Sequence, residues 1–520
     1  MDFRGHRHRP GGPGADVGPA LHRQADRRQG GLARRLRGGR VGAARNGEPG
    51  QAALGARRPA ADESDPRPPR PPAAPQSGKG DAVKIEQNSD APSFEKVSAC
   101  VHCGLCLEAC PTYRELRVEM DSPRGRIYLM KGILHERIEP TEEVQVHLDQ
   151  CLDCRACETA CPSGVEYGSI LEKTRTILEP TRNHGLLVKL LRWFLFRKLL
   201  PNRKVQQVLF KLLWVQQILG ITAIGRLFGR KGWLPGKLGS MAAQAPSVPL
   251  RSFRGRHKDE FDLVKATFKA PKSEKKRRVA LFTGCLADQL FADVNEATIR
   301  VLTRNGCDVD VLTQEVCCGA LHIHNGARDQ AKDLARANVK AFNAGRYDAI
   351  LTNAAGCSAE LRHYGELLDG DPAATEFGKK IRDISEFLVE IGYTPPTGKA
   401  EGKVAYDEPC HLLHAQKISS APKKILDELP GIERTPLEEA EACCGSAGIY
   451  SFTQPKLSKD VLARKIEQIK KSGCDTVVTG NPGCILQIRF GLKEAGLPVQ
   501  VLHPVELLAK AYDKSPKEES

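Results

Sequence analysis

Sixteen of the eighteen cysteines in this 520-residue chain fall into patterned sets. Cys100, Cys103, Cys106 and Cys110 lie within the stretch ACVHCGLCLEACPTY, and Pro111 follows the last of them. Cys151, Cys154, Cys157 and Cys161 repeat the spacing in CLDCRACETACPSG, closed by Pro162. The pattern C-x2-C-x2-C-x3-C-P has a mechanical reading. Three closely spaced thiolates wrap three corners of a cuboidal [4Fe–4S] cluster, and the proline turns the fourth cysteine toward a second cluster. The spacing therefore predicts one cluster on Cys100, Cys103, Cys106 and Cys161, and another on Cys151, Cys154, Cys157 and Cys110. Zinc on four thiolates is the competing chemistry, but zinc ribbons use paired C-x2-C knuckles rather than triple runs closed by C-P.

A second set recurs in the carboxyl-terminal half. Cys285 ends VALFTGC, Cys317 and Cys318 lie in EVCCG, and Cys357 ends DAILTNAAGC. The second copy has Cys410 ending VAYDEPC, Cys443 and Cys444 in EACCG, and Cys484 ending DTVVTGNPGC. The intervening lengths are 31 and 38 residues in the first copy and 32 and 39 in the second. Adjacent thiols beside a glycine can face one metal centre, so each copy offers four candidate ligands. A pair of inert buried thiols is the plainer alternative, and the matched positions argue against it. Cys307 and Cys474 have no counterparts and read as ordinary structural residues. His411 and His414, beside Cys410 in CHLLH, read as structural histidines, with a role next to the cluster or in proton handling as the alternative.

These sets need elements to position them. SPRGRIYLMKGIL, from Ser122 to Leu134, predicts a helix capped by Ser122 with Pro123 in its first turn, which separates the first two cysteine runs. In the carboxyl-terminal half short apolar strands alternate with helical stretches, which predicts parallel α/β structure with the cysteines at the strands' carboxyl ends. The copies close alike, in IRDISEFL and VLHPVELL. The predicted architecture is multidomain. An α-helical ferredoxin-type domain (81–181) precedes a basic amphipathic helical linker (182–278). A tandem α/β cysteine-rich region (279–395 and 396–512) and a short tail (513–520) follow. Residues 1–80, rich in Arg, Pro and Gly, are expected to be a disordered tail. An alternative is that they are translated upstream sequence, with the native start near Val83.

Charge excludes one class of function. The net charge of +15 is carried by the tail, at +9, and by the linker, at +19. Residues 81–181 and 279–520 are acidic, at −7 and −6. Neither basic region shows a nucleic-acid-binding pattern, so no nucleic-acid partner is expected. The amino terminus has no apolar signal-peptide core, and the longest uncharged linker run, Leu212 to Gly225, is fourteen residues, too short to span a membrane. Residues 186–238 fit either a membrane interface or a helical pair packed on protein. No dinucleotide-binding fingerprint, Walker loop or nucleophile–His–Asp set is present, so no catalytic residue is assigned and flavin is expected on another chain.

From about residue 95 to 512 the chain resembles the iron–sulfur subunit of bacterial glycolate oxidase. The likeness lies in CVHCGLCLEACPTY, DSPRGRIYLMKGI, HLDQCLDCRACETACPSGV, EVCCGALHIHNG and EACCGSAGIYSF. Related arrangements occur in the anaerobic glycerol-3-phosphate dehydrogenase small subunit and in heterodisulfide reductase. The resemblance implies an electron-transfer subunit that serves a flavin-bearing partner oxidising glycolate to glyoxylate. It implies delivery of the electrons to the quinone pool, from a cytoplasmic position on the inner face of the membrane. D- or L-lactate is the nearest alternative substrate of the partner. One departure matters. Heterodisulfide-reductase-type repeats carry a further cysteine three residues after the last, where this chain has Glu360 and Gln487. That counts against disulfide chemistry and a non-cubane cluster. Four thiols per copy suffice for one ordinary cluster each, or for one shared site.

Overall fold

The computed structural model describes residues 90–230, 244–262, 264–271 and 276–515. The expected tail at 1–80 lies outside them, as do linker residues 231–243.

Ser122 opens the helix Pro123–Leu134 by accepting from the Gly125 amide at 3.0 Å, with Pro123 at its first position. This is the N-cap chemistry its sequence predicts. Ile127, Met130 and Ile133 of that helix are buried against Leu148 and against Ile170, Leu171 and Leu178 of the helix Tyr167–Leu178. The described residues from 90 to 181 contain helices and turns and no strand.

The two repeats build two sheets of the same order. Strands β2 (Arg277–Phe282), β3 (Cys307–Leu312), β4 (Ala349–Thr352) and β5 (Ile381–Asp383) are parallel in the order β3-β2-β4-β5. Strands β6 (Gly402–Tyr406), β7 (Ile432–Thr435), β8 (Thr476–Val478) and β9 (Gln500–Leu502) are parallel in the order β7-β6-β8-β9. In each sheet the winding reverses beside the first strand of the repeat, between β2 and β4 and between β6 and β8. Such a switch point leaves a crevice outside the strands' carboxyl ends, where α/β folds bind ligands. Val279, Leu281 and Val309 of the first sheet share one continuous buried core with Val404, Val477 and Val501 of the second.

One strand departs from the all-parallel expectation. β1 (Lys265–Phe268), from the segment read as linker, pairs antiparallel with β3 and covers its edge. Asp310 on β3 is buried, and Lys265 on β1 answers its charge at 2.7 Å. The rest of the described linker forms helices Leu186–Trp193 and Arg203–Ile218, joined by a π-helical stretch at Phe194–Leu199, then Ile221–Arg230 and the short helix Phe253–Arg256. Phe196, Leu200 and Gln206 are buried. Leu186, Leu190, Leu212 and Ile218 face outward, at 88%, 59%, 62% and 62% exposure. One side of the linker thus packs on protein while the other presents bare apolar side chains. Among the described residues, no helix is long and apolar enough to cross a membrane.

Candidate metal centres

The two ferredoxin-type loops share a backbone device. His102 and Gly104 in the first have φ of 54° and 88°, and Asp153 and Arg155 in the second have φ of 52° and 60°. Left-handed residues at matching positions curl each loop around its thiols. Cys110, Cys151, Cys154 and Cys157 line one pocket together with Arg126 and Tyr167. The structure thus brings together the four thiols that the spacing groups around the second cluster. Cys100, Cys106 and Cys161 pack against one buried core, and Cys103 is exposed.

The two positions differ in burial. Cys154 and Cys157 are buried, and burial, with neighbouring thiols behind it, pushes both well above the ordinary thiol range. Burial pushes Cys106 up to about 11. All eighteen cysteines are free thiols. Thiols pushed up in this way, Cys106, Cys154 and Cys157, are neutral until a metal displaces their protons, so loading should release acid. Arg126 was not singled out in the sequence. It is fully buried, with Nη1 3.9 Å from Cys110 Sγ and 2.9 Å from Thr112 Oγ1, and Tyr167 Oη donates to Cys151 Sγ at 3.6 Å. Donors and a cation aimed at sulfur favour the more negative, reduced state of a cluster.

The repeats gather their thiols at the switch-point crevices. Cys285 follows β2 and Cys357 follows β4, one on each side of the first crevice; Cys410 and Cys484 follow β6 and β8 in the second. Cys285 Sγ donates to Cys317 Sγ at 3.6 Å, Cys317 meets Cys318, and Cys318 meets Cys357. The second copy threads identically, Cys410 to Cys443 to Cys444 to Cys484. The glycine of each CCG turn is required by its backbone. Gly319 and Gly445 have φ of 90° and 82°, and a Cβ on Gly445 would lie 2.6 Å from Ser458 O. Asn338 Nδ2 holds the Cys317 carbonyl at 3.1 Å, and Asn481 Nδ2 donates to Cys484 Sγ at 3.3 Å. Cys307 and Cys474 lie in the hydrophobic core, Cys307 at the amino end of β3 and Cys474 just before β8, and so at the strand ends opposite the crevices. His414 contacts Thr159 Oγ1 at 3.0 Å and Glu441 O at 3.3 Å.

Each crevice also holds a cation. Lys465, buried on the apolar side of the helix Pro455–Ser472, pairs with Asp407 at 2.8 Å and interacts with Cys444 and Cys484. Its place in the run Val461, Leu462, Lys465, Ile466, Ile469 was a readable signal, because a lysine on an apolar stripe needs a buried partner. Arg203 of the linker does the same for the first copy, 2.7 Å from buried Glu315 and interacting with Cys285. Glu315 also accepts from the Thr283 and Gly284 amides, at 3.1 and 2.9 Å, and so fixes the turn that delivers Cys285.

Packing links the sites to one another and to the linker. Cys154 packs in one cluster with Cys443 and against Cys410, which sets the second ferredoxin-type loop on the second repeat. Cys285 and Cys317 pack instead with Phe196 and Leu200 of the linker. Three gathered sets of soft donors, and a fourth whose Cys103 stays exposed, fit iron–sulfur ligation.

Comparison with known proteins agrees with this chemistry. A 4Fe-4S dicluster domain matches residues 96–165, and a cysteine-rich CCG domain matches twice, at 279–362 and 404–489. A probable glycolate oxidase iron-sulfur subunit of Bacillus subtilis is 38% identical over 79% of this chain and 93% of its own length. The glycolate oxidase iron-sulfur subunit of Escherichia coli is 34% identical over 83% and 98%. Lactate utilization protein A of Oceanobacillus iheyensis is 30% identical over 44% of this chain and 96% of its own. With its dicluster segment, its twin CCG repeats and full-length relatives of this similarity, the chain belongs to the family of glycolate oxidase iron–sulfur subunits.

Proposed function

We propose that this chain is the iron–sulfur electron-transfer subunit of an FAD-linked 2-hydroxy-acid dehydrogenase, with glycolate as the partner's substrate. Cys100, Cys103, Cys106 and Cys161 hold one [4Fe–4S] cluster, and Cys151, Cys154, Cys157 and Cys110 hold another. The four thiols of each repeat hold further iron–sulfur centres. Bound clusters supply one-electron storage; the chain's own work is to file their positions and insulate them. The observation that carries the reading is how these thiol sets pack. An exposed thiol set at Cys103 leads to a buried one, the buried set touches the second repeat at Cys443, and the first repeat lies under the linker. The exposed end suits a flavin partner and the linker end suits a membrane acceptor such as quinone.

The linker supports that orientation. Residues 182–230 carry ten basic and no acidic residues beside the exposed leucines. Basic charge with bare apolar area is what an anionic membrane interface attracts. Lactate in place of glycolate is the alternative that the lactate-utilization relative favours.

The test is iron and acid-labile sulfide on anaerobically purified chain, with paramagnetic resonance after reduction by the flavin partner and glycolate. Iron beyond the roughly eight atoms of two clusters, reducible by glycolate, is expected. Zinc in place of iron at all four sites would overturn the reading. Leu186→Glu with Leu212→Glu should release the protein from anionic vesicles while leaving iron content unchanged.

A further inference from the structure

The elements that hold the thiol sets also meet at a buried cluster that the thiol chemistry does not use. Asp153 comes from the second ferredoxin-type loop, Glu172 from the helix Tyr167–Leu178, and His324 from the turn after the first CCG. His324 Nδ1 lies 2.8 Å from Asp153 Oδ2 and 3.4 Å from Glu172 Oε1, and the three donor atoms all fall within 4.8 Å of one another. Asp153 and Glu172 are 2% and 8% exposed.

Two observations exceed a simple salt bridge. Among the described residues Asp153 Oδ1, 3.9 Å from Arg155 Nε, is buried with no hydrogen-bond partner. The same holds for Nε2 of His411, whose ring centroid is 5.5 Å from that of His324. The second observation is Glu360, 8% exposed, which interacts unfavourably with Glu172 and forms no ion pair among the described residues. Arg155 takes one Glu172 oxygen at 2.8 Å, and Arg175 spends its guanidinium on the carbonyls of Leu148, Cys151 and His324. Glu360 thus adds a third buried carboxyl to a pocket in which Arg155 and His324 already answer Asp153 and Glu172.

We propose that Asp153, Glu172 and His324 form a mixed nitrogen–oxygen site for a divalent cation of the zinc class, with His411 or Glu360 as fourth donor. Imidazole and carboxylate suit such an ion at bond lengths of about 2.0–2.2 Å, which set tetrahedral donors about 3.3 Å apart. The 3.4 Å separation already fits, and the 2.8 Å one opens when the shared proton leaves His324 and the metal takes its place. The three gathered donors come from the ferredoxin-type segment and the first repeat. The ion would therefore pin together two of the parts that carry thiol sets.

The test uses the full chain with its iron in place. Elemental analysis should find about one equivalent of a non-iron divalent metal per chain. It should be lost in His324→Ala and in Glu172→Gln with iron unchanged. Added Co2+ should give weak ligand-field bands and no thiolate-to-cobalt charge transfer. Wild-type protein that holds no such metal and takes up no Co2+ would overturn the proposal. So would a thiolate-to-cobalt band, or metal retained in both variants. The wild-type measurements decide the matter even where a variant fails to fold.

Discussion

The two cysteine-rich repeats place the same four thiols at the same four corners, yet they neutralise them differently. The second copy is self-sufficient: Lys465 comes from its own helix and Asp407 from the turn after its own first strand. The first copy borrows. Arg203 comes from the linker, and Arg254, before β1, adds a second guanidinium 3.3 Å from Glu315. The sheets show the same asymmetry. β3 is covered by β1 and nearly all buried, whereas its counterpart β7 is a bare edge with Glu433 and Arg434 exposed. A duplicated unit has specialised by what packs on it. The second meets the ferredoxin-type segment at Cys154; the first meets that segment at His324, beside Asp153, and meets the linker through Phe196 and Leu200.

The largest expected effect tests that order. Cys443→Ser should stop substrate-derived electrons at the ferredoxin-type clusters and reduce acceptor turnover to background. Cys317→Ser should also abolish turnover but leave the second repeat reducible. Rapid-freeze paramagnetic resonance of the complex separates the two outcomes. Arrest at the same stage in both variants would mean that the repeats are not in series.

Next come the buried cations. Lys465→Met strands Asp407 in the core, and breaking a buried pair costs about 3–5 kcal/mol. Arg203→Met leaves Arg254 beside Glu315, so the loss should be smaller, about 1–3 kcal/mol. Urea unfolding of cluster-loaded protein measures both. Equal losses would show that the borrowed guanidinium matters as much as the resident amine.

Much of this was legible in the sequence because it is periodic or local. Cysteine spacing grouped Cys110 with Cys151, Cys154 and Cys157, and the internal repeat placed Cys285 and Cys410 at equivalent strand ends. Ser122 announced its helix. What stayed hidden was assembled from distant positions. Asp153 and Arg155 were concealed among the cysteines, and His324 was one letter in a family motif. Glu360 registered only as a missing cysteine; it is buried where Gln487 of the other copy bonds Ser458 at 3.0 Å. Antiparallel β1 was hidden as well, because four residues in a basic stretch carry no strand pattern until β3 offers an edge and Asp310 a charge to answer.

The smallest expected effect lies at the equivalent caps that close the two copies. Asp383 caps Ile384–Glu390 and His503 caps Pro504–Asp513, each in a reciprocal box with a glutamate three residues on. Burial pushes Asp383 up to about 7. The native carboxyl then keeps a proton that the unfolded chain releases near pH 4, so its contribution to stability falls as pH rises from about 4 to about 7. Burial pushes His503 down to about 3, and its ring also contacts Asn353 O at 2.9 Å. The native ring stays neutral where the unfolded one takes a proton, so its contribution falls as pH drops from about 6.5 toward 3. Asparagine caps a helix as well as aspartate does and does not titrate. Asp383→Asn should therefore gain on wild type as pH is raised to about 8 and His503→Asn as it is lowered to about 5, with a slope of at most about 1.4 kcal/mol per pH unit. The readout is the slope of the urea midpoint against pH, because loss of the Asn353 contact shifts His503→Asn by a constant. Opposite slopes would show that the copies meet one capping requirement with groups of opposite charge response; parallel slopes would show that neither cap titrates in the folded protein.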